Sequence, residues 1–213
     1  MTWLSELFGK KKERELSLEE KEQLKRKWDR FDLFQKGKDC YLKRQTDDAL
    51  LYFDKALEYN FIENFPTEVT KLFGMRGCCL QELDYDYDAI NNFDKSITLA
   101  SNDCNKYFSR SVSKGAILDF EGEIADIEKA IELSKIDNLL NREYNDEAQK
   151  QGYKNGVAGL FEMRLVGARM KLETELNDRK RIENASTLKD KLFWQEMFDE
   201  KKAKMLSRIK KRN

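Results

Sequence analysis

A recurrent spacing constrains this chain more than any other feature. Gly37, Ala49, Phe53 and Ala56 stand at successive offsets of 12, 4 and 3 residues. Gly77, Ala89, Phe93 and Ser96 repeat those offsets, and Ser111, Glu123, Ile127 and Ala130 repeat them again. The second and third copies lie 34 residues apart and the first and second 40 apart, which places a short insertion near residues 61–66. Small residues at fixed helical positions let two helices approach closely, and a large residue beside them fills the gap. One such helix pair cannot bury its apolar faces alone, so neighbours must stack.

The pattern resembles the tetratricopeptide repeat (TPR) family, whose helix pair carries small residues at its eighth, twentieth and twenty-seventh positions and a large apolar residue at its twenty-fourth. The best single match is Phe120-Glu-Gly-Glu-Ile-Ala-Asp-Ile-Glu-Lys-Ala-Ile-Glu-Leu133, which looks like a second helix of such a repeat. Asp48 to Leu57 and Asp88 to Ile97 match in the same way. Ser111 and Glu123 depart from the pattern, standing where small residues are usual. The resemblance implies an all-α, right-handed superhelical stack of TPR hairpins with an N-terminal helix and C-terminal capping helices. Its expected division is an amphipathic segment and capping helix over 1–29, three hairpins over 30–134, and a remainder over 135–213. That remainder reads as a degenerate fourth repeat or one long helix, followed by a solvating helix.

Within this frame the local signals are specific. Ser17-Leu-Glu-Glu20 predicts a capping box that starts a helix carrying Leu24, Trp28, Phe31 and Phe34 along one stripe. Thr46 and Asp47 are expected to cap and charge the next helix. The stretch 60–67, with the only proline, Pro66, reads as the inserted loop. Beyond 142 the register blurs; Gly156, Ala168 and Leu172 again show offsets of 12 and 4, without the usual polar turn between them. Thr187-Leu-Lys-Asp190 predicts a further cap, opening a last helix with Leu188, Leu192, Phe193, Met197, Phe198, Met205, Leu206 and Ile209. Its tail from Lys201 to Arg212 is rich in lysine and arginine, which suits a helix C-terminus and leaves open a nucleic-acid or anionic-lipid contact.

Composition narrows the chemistry. The 40 basic and 40 acidic residues cancel, which argues against a general nucleic-acid binder. With no histidine, the commonest general base and neutral metal ligand are missing. Asp84-Tyr-Asp-Tyr-Asp88 alternates acids as a calcium loop does, but Ala89 and Lys95 stand where its glycine and bidentate glutamate belong. Cys78 and Cys79 point about 100 degrees apart on a helix and lack the spacing of a zinc pair. The four cysteines, without an apolar leader run, read as free thiols of a cytoplasmic protein. No catalytic constellation, metal site or cofactor-binding motif is found.

Function is therefore expected to come from shape. If the first helices of successive repeats line a concave groove, as the resemblance implies, Phe31, Phe34, Lys38 and Tyr41 line it from repeat one. Lys71, Met75, Cys78 and Gln81 follow from repeat two, and Asn105, Phe108, Ser109 and Val112 from repeat three. Such a surface suits an extended peptide or a partner helix, as in an adaptor or scaffold. The lysine, asparagine and arginine set with which one TPR subgroup clamps chaperone tails is absent. Two alternatives remain: peripheral membrane association through Trp3, Leu4, Leu7, Phe8 and the lysines that follow, and a chaperone for a secreted or aggregation-prone client.

Overall fold

The computed structural model describes residues 17–59 and 66–212, and among these residues all regular structure is helical. In order the helices are α1 (Leu18–Leu42), α2 (Thr46–Glu58), α3 (Pro66–Glu82), α4 (Asp86–Leu99), α5 (Cys104–Ala116), α6 (Phe120–Ser134), α7 (Leu139–Lys150), α8 (Gly156–Glu183) and α9 (Leu188–Leu206). Consecutive pairs α1–α2, α3–α4 and α5–α6 pack as hairpins and stack in order, giving an α-α superhelical repeat array. Trp3, Leu4, Leu7 and Phe8 lie outside the described residues. α1 runs unbroken across residue 29, from its capping box into the first repeat. Ser17 Oγ accepts from the Glu20 N–H (3.2 Å), and the Glu20 carboxylate accepts from the Ser17 N–H (2.8 Å).

The recurrent glycines act as expected from sterics. A Cβ on Gly37 would come within 2.6 Å of the Phe53 ring, and one on Gly77 within 2.7 Å of the Phe93 ring. Both rings are buried with Ala49, Leu50, Ala56, Leu72, Cys79, Leu80 and Ala89 in one core. Repeat three answers its departures by exchanging sizes. By register Tyr41 pairs with Ala49 and Gln81 with Ala89; in repeat three the first helix offers Gly115 and the second a fully buried Glu123. A Cβ on Gly115 would run into the Glu123 carboxylate. That carboxylate accepts from Lys171 Nζ at 2.7 and 2.8 Å, with Arg164 at 3.6 Å, and so fastens α8 onto α6.

The turns show a repeat that residue identity concealed. Arg44, Asp84 and Leu118 all adopt left-handed backbone (φ 62°, 64° and 67°), as does Gly152 (φ 96°). Each ends its helix in the same bond: Gln45, Tyr85, Asp119 and Tyr153 donate back to the carbonyls of Cys40, Leu80, Lys114 and Ala148. The last two turns are 34 residues apart, so α7 and the start of α8 form a fourth hairpin in register. It places Asn145, Val157 and Phe161 where Ser111, Glu123 and Ile127 stand. Phe161 is fully buried in a second core with Cys104, Ile127, Ala130, Leu133, Ala148, Val157 and Ala168. Asn145 Oδ1 accepts from the Val157 N–H at 3.0 Å, closing the turn. The offsets Gly156–Ala168–Leu172 do not mark this repeat, because all three residues lie on α8.

A further expectation is corrected. Thr46 does not cap α2: it is the first helical residue, Gln45 before it makes no side-chain cap, and the Thr46 hydroxyl donates to Glu82 at 2.8 Å. The last helix, expected to cover the final apolar face of the array, leaves much of its own apolar surface open, with only Phe198 and Leu206 half-buried. Leu188, Leu192, Phe193 and Met197 remain 74, 61, 53 and 47% exposed. The facing half of α8 is mostly charged, so α9 is held antiparallel to it by Lys201–Asp178 (2.6 Å), Lys202–Glu175 (3.0 Å) and cations over the Phe198 and Trp194 rings.

Arg44 is exposed and strained in a conformation glycine adopts freely, so Arg44→Gly is expected to stabilise the fold by about 0.5–1 kcal/mol. Urea unfolding checks it, and a loss of stability would contradict the turn geometry. Lys171→Met leaves the buried Glu123 with only the longer Arg164 contact and is expected to cost about 3 kcal/mol. Much of that loss should return when Glu123→Gln is added.

Candidate peptide-binding groove

Stacking the hairpins in one register sets α1, α3, α5 and α7 side by side. Between them runs a groove of about 810 Å³, lined from Arg30 and Phe31 at one end to Asn105, Ser109 and Tyr144 at the other. Of the twelve residues expected to line a groove, Phe31, Phe34, Lys38, Lys71, Met75, Cys78, Asn105 and Ser109 line this one. The other four are engaged elsewhere. The Tyr41 hydroxyl donates to Glu82 at 2.8 Å. Gln81 Nε2 donates to the Ser109 carbonyl (2.9 Å) and Ser113 Oγ (2.7 Å), tying α3 to α5. Phe108 is stacked on Phe161 at 4.5 Å. Val112 lines a second cleft of about 580 Å³, whose opposite wall includes Arg164, Lys171, Lys204, Met205 and Arg208.

The floor is apolar and fixed from below. Phe34 leans on Phe53 with ring centroids 5.9 Å apart, and Met75 and Cys78 pack against the first core. Phe31 stays 39% exposed and meets Trp28 edge-on at 6.0 Å. The rim is basic. Arg30 is spent on Glu68 (2.9 Å), and Lys106, held below its usual pKa chiefly by burial, faces Asp103 at 3.7 Å. Asp103 also caps α5 and accepts from the Tyr144 hydroxyl at 3.3 Å. Lys38 and Lys71 are exposed and enter no ion pair among the described residues. Arg30, Gln35, Glu68, Lys106 and Tyr144 were not foreseen; a 34-residue register carried through Asn145 would have put α7, and with it Tyr144, on this face.

The second helices are cross-linked by a ladder that the sequence carries at the same spacing. Arg76 bridges Asp54 (2.6 Å) and Asn92 (2.9 Å). Arg110, 34 residues on, bridges Asp94 (2.6 Å) and the buried Asp126 (2.8 and 2.6 Å). These bonds hold successive hairpins in register and so set the groove. Three of the thiols are raised above the ordinary thiol range. Burial, the largest cause at each, pushes Cys78 up to about 11 and Cys79 and Cys104 up to about 12. Among the described residues, no group of three or more cysteines and acids is placed to hold a metal, and no helix is long and apolar enough to cross a membrane.

No family model and no curated protein matches the chain. Among solved structures it is similar to the first TPR of Spaghetti (RPAP3) bound to the HSP90 peptide SRMEEVD. The TM-score is 0.45 and the identity 16%, over 58% of this chain and 93% of that one. The fold is TPR-like. The helix pairs, their common turn and the small-residue-against-ring packing make it so in this chain's own geometry.

Because a thiolate forms only as the pH approaches these raised values, alkylation of the Cys40→Ser chain by iodoacetamide is expected to accelerate about tenfold per pH unit from 7 to 9 without levelling. A plateau near pH 8.5 would show thiols that burial does not hold.

Proposed function

We propose that the chain is a protein-interaction module, an adaptor or scaffold, that holds an extended peptide or partner helix in the groove of α1, α3, α5 and α7. The observation that carries this reading is a groove of about 810 Å³ with an apolar floor and, on its rim, two exposed lysines that enter no ion pair among the described residues. Apolar anchors supply affinity when their pockets are preformed, and the groove's aromatic and methionine side chains are of that kind. Lys38 and Lys71 favour a segment that brings acidic groups. The reading is non-catalytic: burial holds the Cys78, Cys79 and Cys104 thiols protonated at neutral pH, and the carboxylates beside the groove are spent on ion pairs and a helix cap.

The packing dictates which residues to change. Phe34 and Phe108 support cores, so their loss would confuse folding with binding. Phe31→Ala, Lys38→Ala and Lys71→Ala together leave both cores untouched. In a pull-down from source-cell lysate, a partner retained by the unaltered protein is expected to fall about tenfold or more with this variant, with helicity unchanged by circular dichroism. Retention by the folded variant would place the interaction surface elsewhere.

A further inference from the structure

After Leu206 the chain leaves α9 and runs as a strap of irregular backbone along the turn edge of the array. Residues 207–212 contain Arg208, Lys210, Lys211 and Arg212 and no acid. The strap seats on the turn between α3 and α4. The Lys210 N–H donates to the Asp84 carbonyl at 2.8 Å. Lys210 Nζ lies 5.6 Å from the centroid of Tyr85, and Lys211 Nζ 6.0 Å from that of Tyr87. Arg212 Nη2 meets Asp54 at 2.9 Å, and its N–H reaches Asp88 at 3.5 Å. Arg208 shares a cleft with Asp86, a carboxylate only 3% exposed. Burial raises the pKa of Asp86, while its bond to Ser113 and the charge of Arg208 lower it.

Two features make this more than an acidic turn. It already holds a ligand-like segment, bound through a backbone hydrogen bond, two ring faces and two carboxylates at once. The contact also joins hairpins one and two to the far end of the chain, whereas units of a stacked array otherwise touch only their neighbours. Every cation of the strap is exposed, so its ion pairs are of the weak, salt-screened kind and the seat can be vacated.

We propose that the surface formed by Asp54, Asp84, Tyr85, Asp86, Tyr87 and Asp88 is a docking site for a lysine- and arginine-rich segment of a partner protein, and that residues 207–212 occupy it in cis as a competing strap. The site lies outside the groove and does not depend on what the groove holds. A partner segment gains the strap's contacts only after displacing it, so occupancy in cis lowers the apparent affinity by the fraction of time the seat is filled.

The test uses a fluorescein-labelled peptide of the sequence Ser207–Arg212 and full-length chains at low salt, read by anisotropy. The Lys210→Gln, Lys211→Gln, Arg212→Gln chain is expected to bind it about tenfold more tightly than the unaltered chain, with both monomeric by light scattering. Adding Asp84→Asn and Asp88→Asn, which leave the Arg76–Asp54 bridge intact, should remove most of the gain. The charge-matched pair Glu143→Gln and Asp146→Asn on α7 should preserve it, and circular dichroism should show all four chains equally helical. Equal affinity of the first two chains would overturn the proposal. So would equal losses from the two acid pairs, which would mark bulk charge rather than a site. An unaltered chain that dimerises, with the tail variant monomeric, would place the strap in trans and overturn occupancy in cis.

Discussion

The structure depends on one contact: a helix position with no side chain, pressed by a ring from the next helix. At Gly37 and Gly77 the clearance over Phe53 and Phe93 is too small for even a methyl group. Close approach at that point brings the two helices of a hairpin together over a thin core of alanines and leucines. With the first two hairpins set in this way, the later ones stack in the same register, and α1, α3, α5 and α7 fall on one side. The groove is a consequence of that register. No residue of its floor needs to be placed separately.

Where the contact changes, other chemistry takes its place. Repeat three exchanges the large and small positions, and the large side chain is a glutamate with no exposure. An unpaired buried carboxylate would be costly, so Lys171 and Arg164 must come to it. The ion pair thereby draws the long α8 across α6 and lets a fourth hairpin extend the array. The arginine ladder through Arg76 and Arg110 works between hairpins as the glycine–ring contact works within them. Both arginines are well screened from water and reach two second helices at once, so they resist sliding between units.

The parts of this legible in the sequence are those that sterics writes into residue identity. Small residues and a large apolar one at fixed offsets exposed three hairpins, and the Ser17 capping box marked the start of α1. The fourth hairpin was hidden because its register positions hold Asn145 and Val157, which imitate no small-residue pattern, while Gly156 and Ala168 supplied a false one. The turns were hidden for a related reason. Arg44, Asp84 and Leu118 adopt a backbone conformation normally advertised by glycine, and only Gly152 declares it. In the groove, helical spacing identified the correct face. It could not show that the next hairpin captures Tyr41 and Gln81, or that the Phe108 ring is taken by Phe161. Those losses come from tertiary partners beyond the reach of a local pattern.

The most direct measurement of the glycine–ring contact is a double-mutant cycle at Gly77 and Phe93, read by urea unfolding. Gly77→Ala alone should cost about 1–3 kcal/mol, because the new methyl meets the ring. In a Phe93→Leu background, which removes the ring edge, the same substitution should cost at least about 1 kcal/mol less. Additive effects would show that Gly77 is not held close by Phe93, and the account of the hairpin, and of the groove built from it, would fail.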